Sequence, residues 1–273
     1  MVEGLFQPFP MLPGRRAQSW RHQPSFRRPR HFHPEHELNI VLRGRARIGL
    51  GGSVVHVAAG DVLLFHPGQD HVLLEGSPDL DLFVTALRPE LAARGSHALT
   101  RVASSGCHLP EPALERLEQR LSGLASVADH AAVEHQLLSL FVEVAERLTM
   151  NHVLSRRALQ EICSHPQTSG AALASRLGVH PSVLSRRFRE DLGLTFVDYR
   201  AHQRTMAFVR LVDTGSSLTS AALEAGFGSY AQCHRVISKA LGCRPQRYFA
   251  GERRRIDAAR FEAPPAAGPG AAG

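Results

Sequence analysis

Apolar positions recur in three rhythms along the 273-residue chain. Between residues 31 and 90 they come as short runs, Leu38–Leu42, Ala46–Leu50, Ser53–Val57, Val62–Phe65 and Leu80–Leu87, cut by Gly44, Gly51, Gly52, Gly60, Pro67 and Gly68. Short runs punctuated by glycine predict the strands of a small β-barrel or sandwich. After Pro110, Glu111 and Pro112 the spacing changes to threes and fours: Leu114, Leu117, Leu121 and Leu124, then Val133, Leu137, Leu140, Phe141, Val144 and Leu148. That spacing predicts two amphipathic helices, whose leucine stripe packs either on the barrel or against a second subunit.

The third rhythm is a pair of short helical units. In the first, Leu173, Ala174 and Leu177 form one apolar face, Gly178 supplies a turn, and Pro181 suits the first position of a second helix because it lacks the N–H that would be unpaired there. That second helix buries Val183, Leu184 and Phe188 and turns Ser182, Ser185, Arg186 and Arg189 outward. In the second unit Leu218, Ala221, Ala222 and Ala225 precede a turn at Gly226–Ser229, with Ser229 as N-cap. The helix that follows turns Val236, Ile237 and Leu241 inward and leaves Tyr230, Gln232, Arg235 and Lys239 outside. Helix, glycine turn, helix with a cationic outer face is the pattern of a helix-turn-helix reader of the major groove. The stretch Phe196–Val212 reads as one helix joining the two units, with Phe196, Tyr199, Met206 and Val209 on its apolar side. Its length of roughly 25 Å suits two recognition helices in successive grooves. Arg186 and Arg235 hold equivalent places and can each donate two hydrogen bonds to a guanine edge.

Charge sharpens this division. The net charge is +7, and residues 164–255 hold 14 Arg and Lys against 6 Asp and Glu, so the whole excess lies in the helix-turn-helix region. A basic domain beside a neutral one predicts a polyanion partner for the basic part. No apolar run reaches the roughly 18 residues of a membrane helix, and no apolar stretch follows Arg15 and Arg16 as in a signal peptide. The four cysteines (Cys107, Cys163, Cys233 and Cys243) show no C-x-x-C pairing and read as small buried hydrophobes of a reducing compartment. A cytoplasmic location is the expectation.

Residues 169–249 resemble the DNA-binding domain of the AraC/XylS family of bacterial regulators. The resemblance rests on Ala222, Leu223, Glu224, Ala225, Gly226 and Phe227, on Arg235, Lys239, Gly242–Pro245 and Tyr248, and in the first unit on Leu177-Gly178-Val179, Leu184-Ser185-Arg186, Phe188 and Tyr199. The chain departs from the family at Cys233 and Ile237, where aromatic residues are usual, and at His180, where serine is usual.

The N-terminal half carries His31, His33, Glu37 and Gly44 with the spacing H-x-H-x3-E-x6-G, and then Gly60, Asp61 and His71. These spacings resemble the two motifs of the cupin barrel, with His66 in the slot of the usual proline. The resemblance implies His31, His33, Glu37 and His71 as a ligand set, and imidazole with carboxylate suits Zn, Ni, Fe or Mn. On one strand the odd-numbered His31, His33 and Glu37 would share a face. Regulators of this family also use such barrels for small organic effectors without metal, and a purely structural barrel is the third possibility.

The expected fold class is α+β: an N-terminal cupin-like β-barrel with two following helices, then a C-terminal all-α domain of two helix-turn-helix motifs. The expected boundaries are a partly ordered arm over 1–30, the barrel over 31–110, a helical dimerisation or linker segment over 111–163, the double helix-turn-helix over 164–255 and a disordered tail over 256–273. The expected function is sequence-specific DNA-binding regulation of transcription, controlled by a small-molecule effector or divalent metal in the barrel. The expected partners are double-stranded promoter DNA, the effector, a second copy in a homodimer and RNA polymerase, with no membrane. The competing reading is a metal-dependent, dioxygenase-like cupin enzyme with an accessory DNA-binding domain.

Overall fold

A computed structural model describes residues 4–22, 28–95, 99, 106–124, 127–148, 153–165 and 168–250. The tail expected to be disordered lies outside these residues. The N-terminal half is antiparallel β-structure: β1 Ala17–Arg21, β2 His36–Arg43, β3 Arg45–Leu50, β4 Ser53–Ala58, β5 Asp61–Phe65, β6 His71–Gly76, β7 Asp81–Leu87 and β8 Gly106–His108. Among the described residues one sheet has the order β1-β7-β2-β5-β8 and the other β4-β3-β6. The five expected strands correspond to β2, β3, β4, β5 and β7. In the lead-in expected to be only partly ordered, β1 pairs along its length with β7, and Phe6 is buried.

Strand β2 shows why one sheet can serve two cores. Side chains alternate across a strand, so Leu38, Ile40 and Leu42 join one apolar cluster while Val41 joins another. The first cluster is shared with two helices, α2 Glu111–Leu124 and α3 His130–Arg147, which follow the short α1 Pro89–Ala92. Leu117, Leu121, Leu124, Val133, Leu137, Leu140, Phe141 and Val144 are all buried in it, so the leucine stripe is intramolecular core. Arg16 ties β1 to α3: its backbone N–H and its Nε and Nη2 donate to Glu134 at 2.8, 3.0 and 2.6 Å. The second cluster, with Ile48, Leu50, Val57, Leu63 and Phe65, fills the space between the two sheets.

The helical half begins earlier than the charge pattern implies. Helix α4, Val153–Ser164, buries Ala158, Leu159 and Ile162 among Leu173, Leu184, Phe188 and Tyr199 of the first helix-turn-helix unit. By its packing it is part of that unit rather than of the linker segment expected over 111–163. The remaining helices are α5 Gly170–Arg176, α6 Pro181–Leu192, α7 Phe196–Asp213, α8 Leu218–Glu224, α9 Tyr230–Leu241 and α10 Pro245–Phe249. Gly193 and Gly242 end α6 and α9 with positive φ, the conformation in which glycine alone avoids a steric cost. The second unit's cluster includes Cys233 and Ile237 together with two aromatic residues from the other end of the chain, Phe6 and Phe32.

Candidate metal centre and DNA-reading face

The four N-terminal residues meet. His31, His33, Glu37 and His71 are buried, and one ligand atom from each lies within 4.8 Å of the others. They do not converge as a single strand face. Only Glu37 stands in β2, paired with Phe65 and Ala86. His31 lies in an isolated bridge with His71, the first residue of β6, and a bend at residues 34–35 brings His33 round to Glu37.

The three imidazoles share one tautomer. Their Nδ1 atoms lie 2.7, 3.1 and 3.0 Å from the carbonyl oxygens of Pro29, Glu35 and Gln69 for His31, His33 and His71. A carbonyl can only accept, so each Nδ1 carries the proton and each Nε2 presents a lone pair. Nε2 of His33 and of His71 both stand 2.9 Å from the same oxygen, Glu37 Oε2, and Nε2 of His31 is buried with no hydrogen-bond partner among the described residues. Burial lowers the His33 pKa to about 4 and pushes His31 well below the usual imidazole range, so both rings are neutral at pH 7. The result is one carboxylate and three acceptor nitrogens facing one another, an arrangement that a cation completes and that water, with two protons, satisfies poorly.

The surroundings fix the rings. Phe65 stacks on His71 at 4.4 Å and Phe9 meets His33 edge-on at 4.7 Å. Arg30 Nη1 donates to Asp70 Oδ2 at 2.9 Å and to Gly51 O at 2.7 Å, holding together the neighbours of His31 and His71. Nδ1–H bonds to carbonyls are the usual outer support of metal-ligating histidine. Neighbouring ligands of a tetrahedral ion at the usual bond lengths stand about 3.4 Å apart, so small inward movements close this set. His66 and His36 lie outside it, facing each other at 6.4 Å, and burial drops His36 to about 3. Glu35, also buried, is raised to about 7 by burial. Asp61 accepts the Ala58 N–H at 2.8 Å and closes the turn before β5.

On the helical side, Ser182, Ser185, Arg186 and Arg189 are exposed along α6, and Gln232, Arg235 and Lys239 along α9, with Tyr230 half-buried. His180 takes the N-cap position of α6, where its Nδ1 accepts the Ser182 N–H at 3.3 Å. The usual serine is thus replaced by another acceptor. Ser229 caps α9 by accepting the Gln232 N–H at 3.2 Å, and Gln232 Oε1 in turn accepts the Gly228 N–H at 2.9 Å. Tyr230 accepts from Gln246 Nε2 at 3.0 Å. Gln232 and Tyr230 are therefore engaged in supporting the second unit, whereas among the described residues Arg186 has only a 3.9 Å approach to Glu190. The family's aromatic positions, Cys233 and Ile237, are fully buried, and burial raises the Cys233 thiol to about 12. No helix among the described residues is long and apolar enough to cross a membrane.

A family profile described as "AraC-like ligand binding domain" matches residues 12–160, and one described as "Helix-turn-helix domain" matches residues 173–251. The chain is 27% identical over 237 residues to the arabinose operon regulatory protein of Salmonella typhimurium, covering 78% of this chain and 83% of that protein. To the arabinose operon regulatory protein of Escherichia coli it is 24% identical over 234 residues, with 78% and 80% covered. Among solved structures, ToxT from Vibrio cholerae O395 aligns over 86% of this chain and 97% of its own, at 12% identity and a TM-score of 0.46.

Proposed function

Starting from a chain that belongs to the AraC family of DNA-binding regulators with an N-terminal ligand-binding domain, we propose that the ligand this domain responds to is a divalent first-row transition metal ion held by His31, His33, Glu37 and His71. The observation that carries the reading is the shared tautomer. Three Nε2 lone pairs and a carboxylate oxygen converge in a buried site, and each opposite ring nitrogen is tied to a carbonyl. Nitrogen-rich sites of this kind favour Zn, Ni, Fe or Mn over Mg or Ca. Promoter DNA is the output partner, bound through α6 and α9.

The test uses the purified full chain. Co2+ titration should give a ligand-field spectrum that saturates at one ion per chain, and His31→Ala with His71→Ala should abolish it. Chelation should change wild-type affinity for a mapped chromosomal site and leave the double variant unaffected. If the wild type binds no metal and its DNA affinity ignores chelator, an organic effector bound without metal takes the place of this reading. Turnover of an oxidisable substrate by the loaded protein would instead favour the dioxygenase-like enzyme.

A further inference from the structure

The two helix-turn-helix units do not present the same chemistry. Along α6 the exposed cations stand beside a carboxylate: Arg187 Nη1 donates to Glu190 Oε2 at 3.2 Å, and Glu190 lies 3.9 Å from Arg186 Nε. Helix α9 has no acidic residue over Tyr230–Leu241. Where α9 meets α10 there is an open cleft of about 550 Å³, lined by His234, Arg244, Gln246 and Arg247. His234 is half-buried and the other three are exposed. The cleft has a firm frame. Pro245 and Tyr248 of α10 are buried, and Tyr248 belongs to the core of the second unit with Cys233 and Ile237. The Tyr230 hydroxyl accepts from Gln246 Nε2 at 3.0 Å, and the Tyr230 ring stands edge-on to His234 with centroids 6.1 Å apart. Tyr230 thus ties α9 to α10 at the cleft.

We propose that this cleft is a further DNA contact of the second unit, outside its recognition helix face, and that it takes the phosphodiester backbone beside the groove α9 enters. The lining decides the class of ligand. Pockets for small organic molecules enclose their ligand in mostly apolar walls with a few polar groups. This cleft is open, and its lining side chains are two guanidiniums, an imidazole and an amide. Guanidinium matches phosphate oxygens in a bidentate fork, and among the described residues no carboxylate lines the cleft to compete for it. The position agrees. His234 is the chain neighbour of the outward Arg235 and stands about 100° round the helix from it, so the cleft flanks the reading face. Phosphates run along both sides of a helix seated in the major groove. Contacts to them fix register and add affinity without reading sequence. The proposal rests on the helix-turn-helix domain and is independent of the candidate metal centre.

The experiment is fluorescence anisotropy on the full chain across a range of salt, with a mapped chromosomal site and a scrambled duplex, for wild type and the double variant Arg244→Gln, Arg247→Gln. The double variant should weaken binding to both duplexes by the same factor and reduce the salt slope by about two. Over about a fourfold rise in salt, the wild type should therefore lose roughly tenfold more affinity than the variant. Arg244→Gln alone, a change at one exposed side chain, should reduce the slope by about one and decides the matter if the double variant melts early. A loss confined to the mapped site, with the slope unchanged, makes the cleft a reader of bases and overturns the proposal. Wild-type affinity and slope in a folded variant on both duplexes also overturn it, and assign the cleft to an acidic partner other than DNA.

Discussion

Replacing Arg186 by alanine separates reading from folding more cleanly than any other change on the DNA-binding face. Its side chain is 68% exposed, and among the described residues its acidic neighbour is Glu190, 3.9 Å away. A surface pair of that kind contributes at most about 1 kcal/mol, so urea midpoints should hardly move. A bidentate Arg–guanine contact, by contrast, carries about 1–3 kcal/mol of base discrimination, which is roughly 5–150-fold in Kd. The assay is fluorescence anisotropy at fixed salt, with a mapped chromosomal site and a scrambled duplex measured side by side. Arg186→Ala should weaken the first by that factor and leave the second nearly unchanged. The salt slope on the mapped site should also stay constant, because a base contact releases no phosphate counterion. Equal losses on both duplexes, with the slope reduced by about one, would mark Arg186 as a phosphate contact and refute the reasoning.

Leu137→Ala should cost about 2–5 kcal/mol in urea unfolding, independent of protein concentration, because Leu137 is fully buried within one chain; a loss that shrinks as concentration rises would point to a subunit seam. His180→Ala should cost about 0.5–2 kcal/mol through loss of the α6 cap, whereas His180→Ser should restore or exceed the wild-type melting temperature. His202 is held below its ordinary 6.5 by burial, which outweighs the Gly68 carbonyl, Asp70 and Asp198, with Lys239 acting in the same sense as burial. The unfolded chain therefore binds the proton more readily. The contribution is present above pH 6.5 and is lost as pH falls through the lowered folded value. Melting temperatures of wild type and His202→Gln should accordingly diverge least in acid, and a constant difference across pH 5–8 would remove His202 from the account.

The sequence shows the elements whose signal is local. Glycine-cut apolar runs mark β2, β3, β4, β5 and β7, and the spacing around Gly178 and Gly226 marks both helix-turn-helix units. It also marks the four residues of the candidate metal centre, but not how they meet, since His31 and His33 arrive through a bend rather than along a strand. Strand β1 is hidden because Ala17–Arg21 alternates few apolar residues and draws its order from the partner β7. Helix α4 looks like a continuation of the amphipathic helices before it, and only its partners Leu184 and Phe188 reveal which unit it serves. Phe6 and Phe32 are the extreme case. Nothing near either residue in sequence indicates an interior so far along the chain, at Phe208 and beyond, because tertiary contacts of that range leave no periodicity.

Phe6 and Phe32 also make this chain awkward to cut. A fragment excised from Val153 onward would keep both helix-turn-helix motifs yet lose two aromatic rings from the interior of the second. Grafting the DNA-binding half onto a foreign sensor would meet the same gap unless the donor supplied rings at the same place. In this chain the leading segment therefore belongs to the interior of the reader as much as to the sensor.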